Sequence, residues 1–335
     1  MKKSRVTIND VARAAGVSLM TVSRAINGQT GIGEKTRKRI LDLAHQMNYQ
    51  PSQIARSLAT RQTRTLGLVI PDVSNPFFAL IARGAEDAAY ENGFSVFLVN
   101  SSENQERERS ALDSLWQKEV DGVLLCSPRL PEDELLRYYD RFPQMVVVNR
   151  QLTSSHPNVS TVNVDDKLGA QLVVKHFQQI GRTHFALIAG PESSHSAQRR
   201  KEGFLASVKS AHLPFTSSQI VHCPPTVQGG MEAALQLLEQ HPEIDAISAY
   251  NDLVAIGVLQ ACKQQQKEVP ASIAVVGVDD IPLASLVHPT LSSLRVDQYQ
   301  IGRMAATFFF DQQDSPNSNI ILEPELVIRE SSGSI

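Results

Sequence analysis

The chain has 335 residues, of which 42% are apolar and 20% charged, and its net charge is −3. This length is enough for a small domain and one or two larger ones, each with its own core. The cysteines 126, 223 and 262 are widely spaced without a C-x-x-C pair, and no stretch of eighteen apolar residues occurs. Composition therefore argues against a disulfide framework, a metal site and a membrane-spanning helix.

The charge is unevenly distributed along the chain. Residues 1–64 contain twelve Lys and Arg against three Asp and Glu, which gives +9, and the remainder carries −12. A local excess of cations is what binding to a polyanion requires, because phosphate contacts and counterion release supply its sequence-independent affinity. We therefore expect a DNA-binding head on an acidic body, with a merely solvated basic terminus as the alternative.

The N-terminus has the positive charge of a secretory leader but not its apolar segment. Met1–Arg5 is basic, whereas Val6–Ala15 is interrupted by Asn9, Asp10 and Arg13. No signal peptide is indicated. The expectation is a cytoplasmic, nucleoid-associated protein without a cofactor.

Three short helices are predicted within residues 1–50. Thr7 and Asp10 have the spacing of a capping box, and Gly16 permits a sharp turn after the first helix. Ser18 is a candidate N-cap for the second helix, in which Val22 and Ile26 face inward. The apolar residues expected in the core of the first helix are Val11, Ala12 and Ala15.

The third helix is predicted over Glu34–Met47. Its expected core residues are Ile40, Leu41, Ala44 and Met47, and its solvent-facing or phosphate-facing residues are Lys35, Arg37, Lys38 and Arg39. Three helices with a tight first turn make a helix-turn-helix.

The second helix carries apolar residues on the side away from its core. Leu19 and Met20 lie at its N-terminal end, which enters the major groove in this motif, and apolar side chains there can contact a thymine methyl. Arg24, one turn later, can donate two hydrogen bonds to guanine. We interpret these three as base readers and not as packing residues. The residues expected to contact the DNA backbone are Thr7, Ser18, Thr21, Ser23 and Asn27.

The run from Thr7 to Arg24, Thr-Ile-x-Asp-Val-Ala-x-x-Ala-Gly-Val-Ser-x-x-Thr-Val-Ser-Arg, resembles the signature of the LacI/GalR family of bacterial transcription regulators. Residues 49–59 are similar to the hinge of that family, with Ser52 where Asn is commoner. The resemblance implies hinge helices that order on the operator and insert Leu58 into the minor groove, bending the duplex. The hinge residues assigned to the minor groove are Ser52, Ala55 and Leu58. A flexible linker is the alternative.

Beyond the hinge, short apolar runs alternate with amphipathic segments, which predicts an α/β body. Buried parallel strands are expected at 66–70, 96–99, 122–125, 145–148, 185–189, 246–249 and 274–276, with helices near 166–180, 197–210, 228–239 and 252–265 in the second half.

The family resemblance implies a two-subdomain fold of the type I periplasmic-binding-protein kind. The chain would cross between subdomains near residues 162, 291 and 322. The implied division is a head at 1–50, a hinge and linker at 51–64, and an effector-binding and dimerisation body at 65–335. Within the body, the N-subdomain would span 65–161 and 292–321, and the C-subdomain 162–291 and 322–335.

Ligands in open α/β sheets bind beyond the carboxyl ends of the strands, so the polar loops there are candidate effector contacts. Paired charged and hydroxyl groups suit a polyol. Arg200 is the strongest candidate, because it matches an arginine that contacts effector hydroxyls in the family. The residues assigned to the effector are Phe77, Phe78, Arg150, Ser194, Ser196, Arg200, Asn251 and Asp279. Capping and packing roles at the strand ends are the alternatives.

One departure from the family bears on the effector. By our alignment Pro225 occupies the position where many relatives have an aromatic residue, so a stacking platform for a simple hexopyranose is in doubt. The cations Arg150, Arg199, Arg200 and Lys201 leave room for a sugar acid or a sugar phosphate as well as a sugar.

The sequence argues against an enzyme. The Asp pairs 165–166 and 279–280 are adjacent in sequence and do not flank a glycosidic bond from two sides, and Gly31–Gly33 lacks the strand that precedes a dinucleotide fingerprint. A transport-associated receptor would not carry residues 1–60. We therefore expect a homodimeric repressor of a carbohydrate catabolism operon that binds a pseudo-palindromic operator. Whether the effector induces or corepresses, and whether a partner protein acts in its place, stays open.

Overall fold

The computed structural model describes residues 6–50, 62–153, 155–310 and 318–333. By internal contacts the chain divides into two units, Met1–Thr63 and Arg64–Ile335, which we call the head and the body. The described residues contain 11 α-helices. No helix in these ranges is both long and apolar enough to cross a membrane.

The head is built from three helices around one small core, as the sequence predicts. Its helices are α1 (Ile8–Ala15), α2 (Leu19–Ile26) and α3 (Glu34–Gln46). The predicted capping box is present, with the Thr7 amide donating to Asp10 Oδ2 over 2.9 Å. Gly16 ends α1 at a φ of 64°, a left-handed conformation that glycine adopts without strain.

The core of the head differs from the prediction at one position. Val11, Val22 and Ile40 are fully buried, but Leu41, which we expected in the core, is 43% exposed. The buried face of α3 starts from Ile40 and repeats every three to four residues, and Leu41 lies about 100° further around the helix. Leu43 packs against the core instead.

The first lobe of the body is a parallel sheet with strand order β11-β5-β4-β3-β1-β2. Its strands are β1 (Thr65–Ile70), β2 (Ser95–Asn100), β3 (Gly122–Cys126), β4 (Met145–Val148), β5 (Val159–Val164) and β11 (Asn319–Leu322). Its helices are α4 (Pro76–Glu91), α5 (Gln105–Gln117), α6 (Glu132–Tyr139) and α11 (Gln298–Thr307).

The second lobe repeats this arrangement with strand order β12-β10-β9-β8-β6-β7, parallel except for β12, which is antiparallel to β10. Its strands are β6 (Phe185–Ala189), β7 (Ile220–His222), β8 (Ala246–Ala249), β9 (Ala274–Asp279), β10 (Ser292–Arg295) and β12 (Glu325–Val327). Its helices are α7 (Asp166–Gln179), α8 (His195–Ser210), α9 (Val227–Gln240) and α10 (Asp252–Gln264).

The chain passes between the lobes three times within the described part of the body. The passages lie between β5 and α7, between β10 and α11, and between β11 and β12. The second passage comes after Arg295, later than the sequence suggested, because Ser292–Arg295 pairs with β9 in the second sheet. The sequence analysis did not predict five of the observed strands. These are the short strands β7, β10, β11 and β12 and the longer strand β5.

The strand β2 is less buried than the sequence indicates. We expected 96–99 to be a buried strand, but Phe97 is 46% exposed and Leu98 is 42% exposed. β2 is the edge strand of the first sheet, whereas its neighbour β1 is buried along its whole length. An apolar run alone does not distinguish an edge strand from a central one.

Candidate functional site

The outer face of α2 carries the three residues predicted to read bases. Leu19 and Met20 are 46% and 64% exposed, and Arg24 is exposed one turn later. Their neighbours Val22 and Ala25 are in the core of the head. The helix therefore presents two large apolar side chains and a guanidinium on its exposed face, a combination that suits contacts with base edges.

Small polar side chains lie at both ends of α2. Ser18 caps the helix by accepting a hydrogen bond from the Thr21 amide at 3.2 Å, and the Ser18 and Thr21 hydroxyls lie 2.9 Å apart. Asn27 Nδ2 donates to Ser23 Oγ over 3.3 Å. A hydroxyl has one donor and two acceptor sites. These groups can therefore stabilise the local turns and still form a hydrogen bond with a DNA phosphate. Thr7 is likewise exposed beside its capping box.

The hinge residues Ser52, Ala55 and Leu58 lie outside the described residues, and their assignment to the minor groove stays a prediction.

The body contains a pocket between its two lobes, at the carboxyl ends of the strands. The space between its lining side chains, including the open mouth, amounts to about 350 Å³. Most of the residues assigned to the effector from the sequence line it. These residues are Phe77, Phe78, Ser196, Arg200, Asn251 and Asp279.

The pocket also contains residues that the sequence analysis did not assign. They all follow a strand or begin a helix, so the rule that ligands bind beyond strand ends could have found them. Asn75, for example, caps α4 by accepting from the Phe77 amide at 3.0 Å, and Tyr250 directly follows β8. The additional lining residues are Asn75, Glu103, Ser127, Asn149, Pro225 and Tyr250. Tyr250 and the two phenylalanines supply aromatic surface despite the proline at 225.

Arg200 lies at the centre of a buried ionic cluster. Its Nε donates to Asp166 Oδ1 over 2.8 Å and its Nη1 to the Tyr250 carbonyl over 2.6 Å, while Nη2 lies 3.9 Å from Asp279 Oδ1. Arg199 takes the other carboxylate oxygen of Asp166 at 2.6 Å. Burial opposes the charge of Arg200, but Asp166 and Asp279 outweigh it, so its pKa lies above the usual value. The guanidinium is thus rigid and permanently charged.

Asp279 occupies a strained position at the end of β9. Its φ is 109°, and Gln298 donates to its carbonyl oxygen. Non-glycine residues in such conformations tend to occur at binding sites, where the surrounding structure holds them. Burial raises the pKa of Asp279 to about 7, although Arg200 partly offsets this. Its carboxyl therefore changes charge near neutral pH.

Asp252 holds the loop after β9 in place through hydrogen bonds. It is fully buried, and it accepts hydrogen bonds from the Ile281 amide at 2.8 Å and from Ser293 Oγ at 2.6 Å. Burial, and then the charge of Asp279, raise the pKa of Asp252 well above its usual value. Its partners tie the loop after β9 to the second sheet.

Two predicted effector residues do not line the pocket. Arg150 is buried at 3% exposure and donates to the carbonyl oxygens of Leu130 and Pro128, so it holds the loop after β3. Ser194 is fully buried and caps α8, accepting from the Ala197 amide at 3.3 Å. Both follow a strand end, as the lining residues do, but their side chains turn into the protein.

No cluster of three or more His, Cys, Asp or Glu in the described ranges is arranged to hold a metal ion.

Comparisons with known proteins identify a family with this architecture. Residues 7–52 match the family model for bacterial regulatory proteins of the lacI family, and residues 63–327 match that for periplasmic binding proteins and the sugar binding domain of the LacI family. The chain is 35% identical over 329 residues to the ribose operon repressor of Halalkalibacterium halodurans, covering 97% of each protein.

The chain belongs to the LacI family of bacterial transcription regulators. Family membership makes it a DNA-binding regulator with a sugar-binding effector domain, and not an enzyme.

Two solved structures are similar over almost the whole chain. One is the lac repressor dimer bound to operator and the anti-inducer ONPF, with a TM-score of 0.88 and 25% identity over 99% of this chain and 100% of that one. The other is the CelR–cellobiose complex, with a TM-score of 0.73 and 28% identity over 98% and 100%. The head and the two-lobed body of this LacI-family regulator are thus those of effector-controlled DNA-binding proteins.

Proposed function

We propose that this LacI-family regulator represses a carbohydrate catabolism operon and that a small sugar in the pocket between the lobes controls it. The observation that carries the proposal is the pocket itself, where Arg200 and Asp279 of the second lobe face Phe77 of the first. A sugar has hydroxyl groups for the ionic pair and an apolar ring face for the phenylalanine.

The charges around the pocket favour an uncharged sugar over a sugar acid or phosphate. Arg199 and Arg200 share Asp166, and Arg200 also faces Asp279. In the first lobe Glu103, which lines the pocket, is paired with Arg129 at 2.6 Å. An anion would have to displace one of these carboxylates, whereas a neutral hydroxyl can donate to Asp279 and accept from Arg200 without breaking a pair.

We further propose that the protein acts as a homodimer on a pseudo-palindromic operator. The lac repressor similar to this chain is a dimer on its operator. The exposed side chains of Phe97 and Leu98 lie on β2, an edge strand of the first sheet. In the described part of the chain, β1 is the neighbour of β2 on one side and no strand pairs with its other side. An exposed apolar edge favours association with a second copy. Substituting Leu98→Lys should give a monomer in analytical ultracentrifugation.

Closure of the lobes on the effector would change DNA binding through residues 51–64, which connect head and body in the proposed domain division. Leu58, with Ser52 and Ala55, would contact the minor groove at the operator centre. A coupling of about 1–3 kcal/mol corresponds to a roughly 5–150-fold change in operator affinity. We place the protein in the cytoplasm, associated with the nucleoid.

A ligand screen tests the effector. Thermal unfolding of the full chain is measured with neutral sugars, sugar acids, sugar phosphates and nucleosides. A true effector raises the melting temperature with increasing concentration and changes operator affinity, and the direction of that change identifies inducer or corepressor. If no compound does either, control by a partner protein replaces this proposal.

Operator selection from a random library tests DNA reading. We expect one preferred pseudo-palindromic site, and Arg24→Ala should lose about 1–3 kcal/mol of discrimination at one base pair per half-site. Arg13→Ala, on the exposed side of α1, is the matched control and should retain the specificity. Equal, salt-sensitive binding of all sequences by the wild type would contradict the proposal.

A further inference from the structure

A second space adjoins the effector pocket inside the second lobe. It is a narrow gap in the apolar core of that lobe and lies between α7, α8 and the sheet. Its walls are mainly apolar and include Val173, Leu187 and Phe204. Arg200 and Tyr250 line both this rear space and the effector pocket. These two side chains therefore form the partition between a polar compartment and an apolar one.

The ring of Tyr250 is held in this partition from several sides. A Cβ atom at Gly190 would lie 2.6 Å from the ring, so the ring packs directly on the glycine backbone. The Tyr250 hydroxyl lies 3.1 Å from Ser194 Oγ, and the Arg200 guanidinium lies 5.3 Å from the ring centroid. A cation over an aromatic face adds attraction to these contacts. The partition is thus a fixed wall, and Gly190 is what leaves room for it.

We propose that Tyr250 determines effector size, closing the pocket behind a single sugar ring and excluding glycosides with an aryl or alkyl group at that end. The proposal rests on the sugar-binding function assigned to the pocket above. Without the ring, the volume that the ring now fills would connect the effector pocket to the rear space. Because the rear walls are apolar, the joined space suits an apolar group, whereas a second sugar would leave its hydroxyls without partners.

The experiment compares free and phenyl-substituted sugars. Isothermal titration calorimetry is run on the full chain with D-ribose, D-galactose and D-glucose and with their phenyl glycosides. We expect wild type to bind one of the free sugars. It should bind the phenyl glycoside of that sugar at least tenfold more weakly than the free sugar. Tyr250→Ala should bind that phenyl glycoside at least tenfold more tightly than wild type does, and Tyr250→Phe, which keeps the ring, should behave like wild type.

Tyr90→Ala is the matched control, because Tyr90 is 77% exposed and lines neither the pocket nor the rear space, and it should leave both affinities unchanged. Tyr250→Leu replaces the alanine variant if that variant does not fold. If a folded variant without the ring still binds the free sugar but gains nothing for the phenyl glycoside, the partition proposal is overturned. If wild type binds none of the free sugars and none in the wider screen, the sugar-binding function itself fails.

Discussion

The two lobes of the body have corresponding strand orders but present different chemistry to the pocket between them. The first lobe contributes the apolar rings of Phe77 and Phe78 with neutral amide and hydroxyl groups, and its charged residue Glu103 is paired with Arg129. The second lobe contributes Arg200 and Asp279 from a buried ionic cluster. Topology therefore determines where the contacts lie, whereas the side chains at the strand ends determine what each lobe recognises.

This contrast suggests a division of roles. Charge-assisted hydrogen bonds are directional, so the second lobe would orient the sugar hydroxyls. Apolar contact has no direction and grows with buried area, so the first lobe would gain its contact when the lobes close. Changes in the two lobes should then affect binding differently.

The largest effect is expected for Arg200→Ala. Removing one member of a buried ionic cluster costs about 3–5 kcal/mol of stability, because Asp166 would lose one of its two arginine partners and Asp279 would lose the cation that lowers its pKa. Effector affinity should fall by at least 100-fold in calorimetry, with operator binding retained. Lys201→Ala, at the next residue, is the control. Normal effector response in Arg200→Ala would show that the second lobe does not recognise the sugar through this cluster.

An intermediate effect is expected for Phe77→Ala. Phe77 is only 4% exposed and packs in the core of the first lobe, so little of its area is left for the sugar and effector affinity should fall roughly tenfold or less. Phe77→Leu, which keeps most of the apolar area, should lose less. Titration with the sugar found in the screen measures both variants, and equal losses in the two would argue against an apolar wall.

The pH dependence of effector binding should follow Asp279. Its pKa of about 7 means that the carboxylate, the form that accepts hydrogen bonds from hydroxyls, is lost as the pH falls through neutrality. Effector affinity should fall about tenfold between pH 8 and pH 6. Asp279→Asn should remove this pH dependence, and a sloping profile in that variant would assign the titration to another group.

Protein stability should respond to pH in the opposite direction at this residue. The folded-state pKa of Asp279 is raised from 3.8 to about 7, so the folded state binds the proton more tightly than the unfolded state. The contribution of Asp279 to the free energy of unfolding therefore decreases as the pH rises from about 4 to 7, and it is constant above pH 7. Denaturation of wild type and Asp279→Asn across this range measures the difference.

The smallest effect on the effector is expected for Ser194→Ala. The hydroxyl caps α8 and reaches Ser196 and Tyr250 at 3.1 Å, but it does not line the pocket. Loss of a helix cap costs about 0.5–2 kcal/mol of stability, so the melting temperature should fall while effector affinity changes by a factor of about three or less. Ser196→Ala, at a lining position, is the comparison and should affect binding more.

The strand positions were predictable because buried parallel strands are continuous apolar runs between turns. Met145–Val148, Phe185–Ala189 and Ala246–Ala249 have the predicted bounds. The strand β10, Ser292–Arg295, has the sequence Ser-Ser-Leu-Arg, which gives no such signal, and pairing with β9 and β12 makes it a strand. Edge strands such as β2 look like central ones until the sheet order is known.

The pocket was predictable to the level of loops but not of side-chain direction. The strand-end rule selected Arg200, Asn251 and Asp279 as candidate effector contacts, and all three line the pocket. The same rule chose Arg150 and Ser194, whose side chains turn inward, and passed over Tyr250. Whether a residue after a strand faces the cleft depends on backbone dihedrals such as the φ of 109° at Asp279, which no sequence pattern here specifies.

The three passages of the chain between the lobes have a consequence for how such proteins diversify. The head occupies one continuous segment, so a single recombination junction near residue 63 exchanges its DNA specificity for that of a relative. Each lobe is assembled from separate stretches of sequence, and exchanging one whole lobe requires several simultaneous junctions. New sugar responses should therefore arise by point substitution at the pocket, and new combinations of sugar and operator by head exchange.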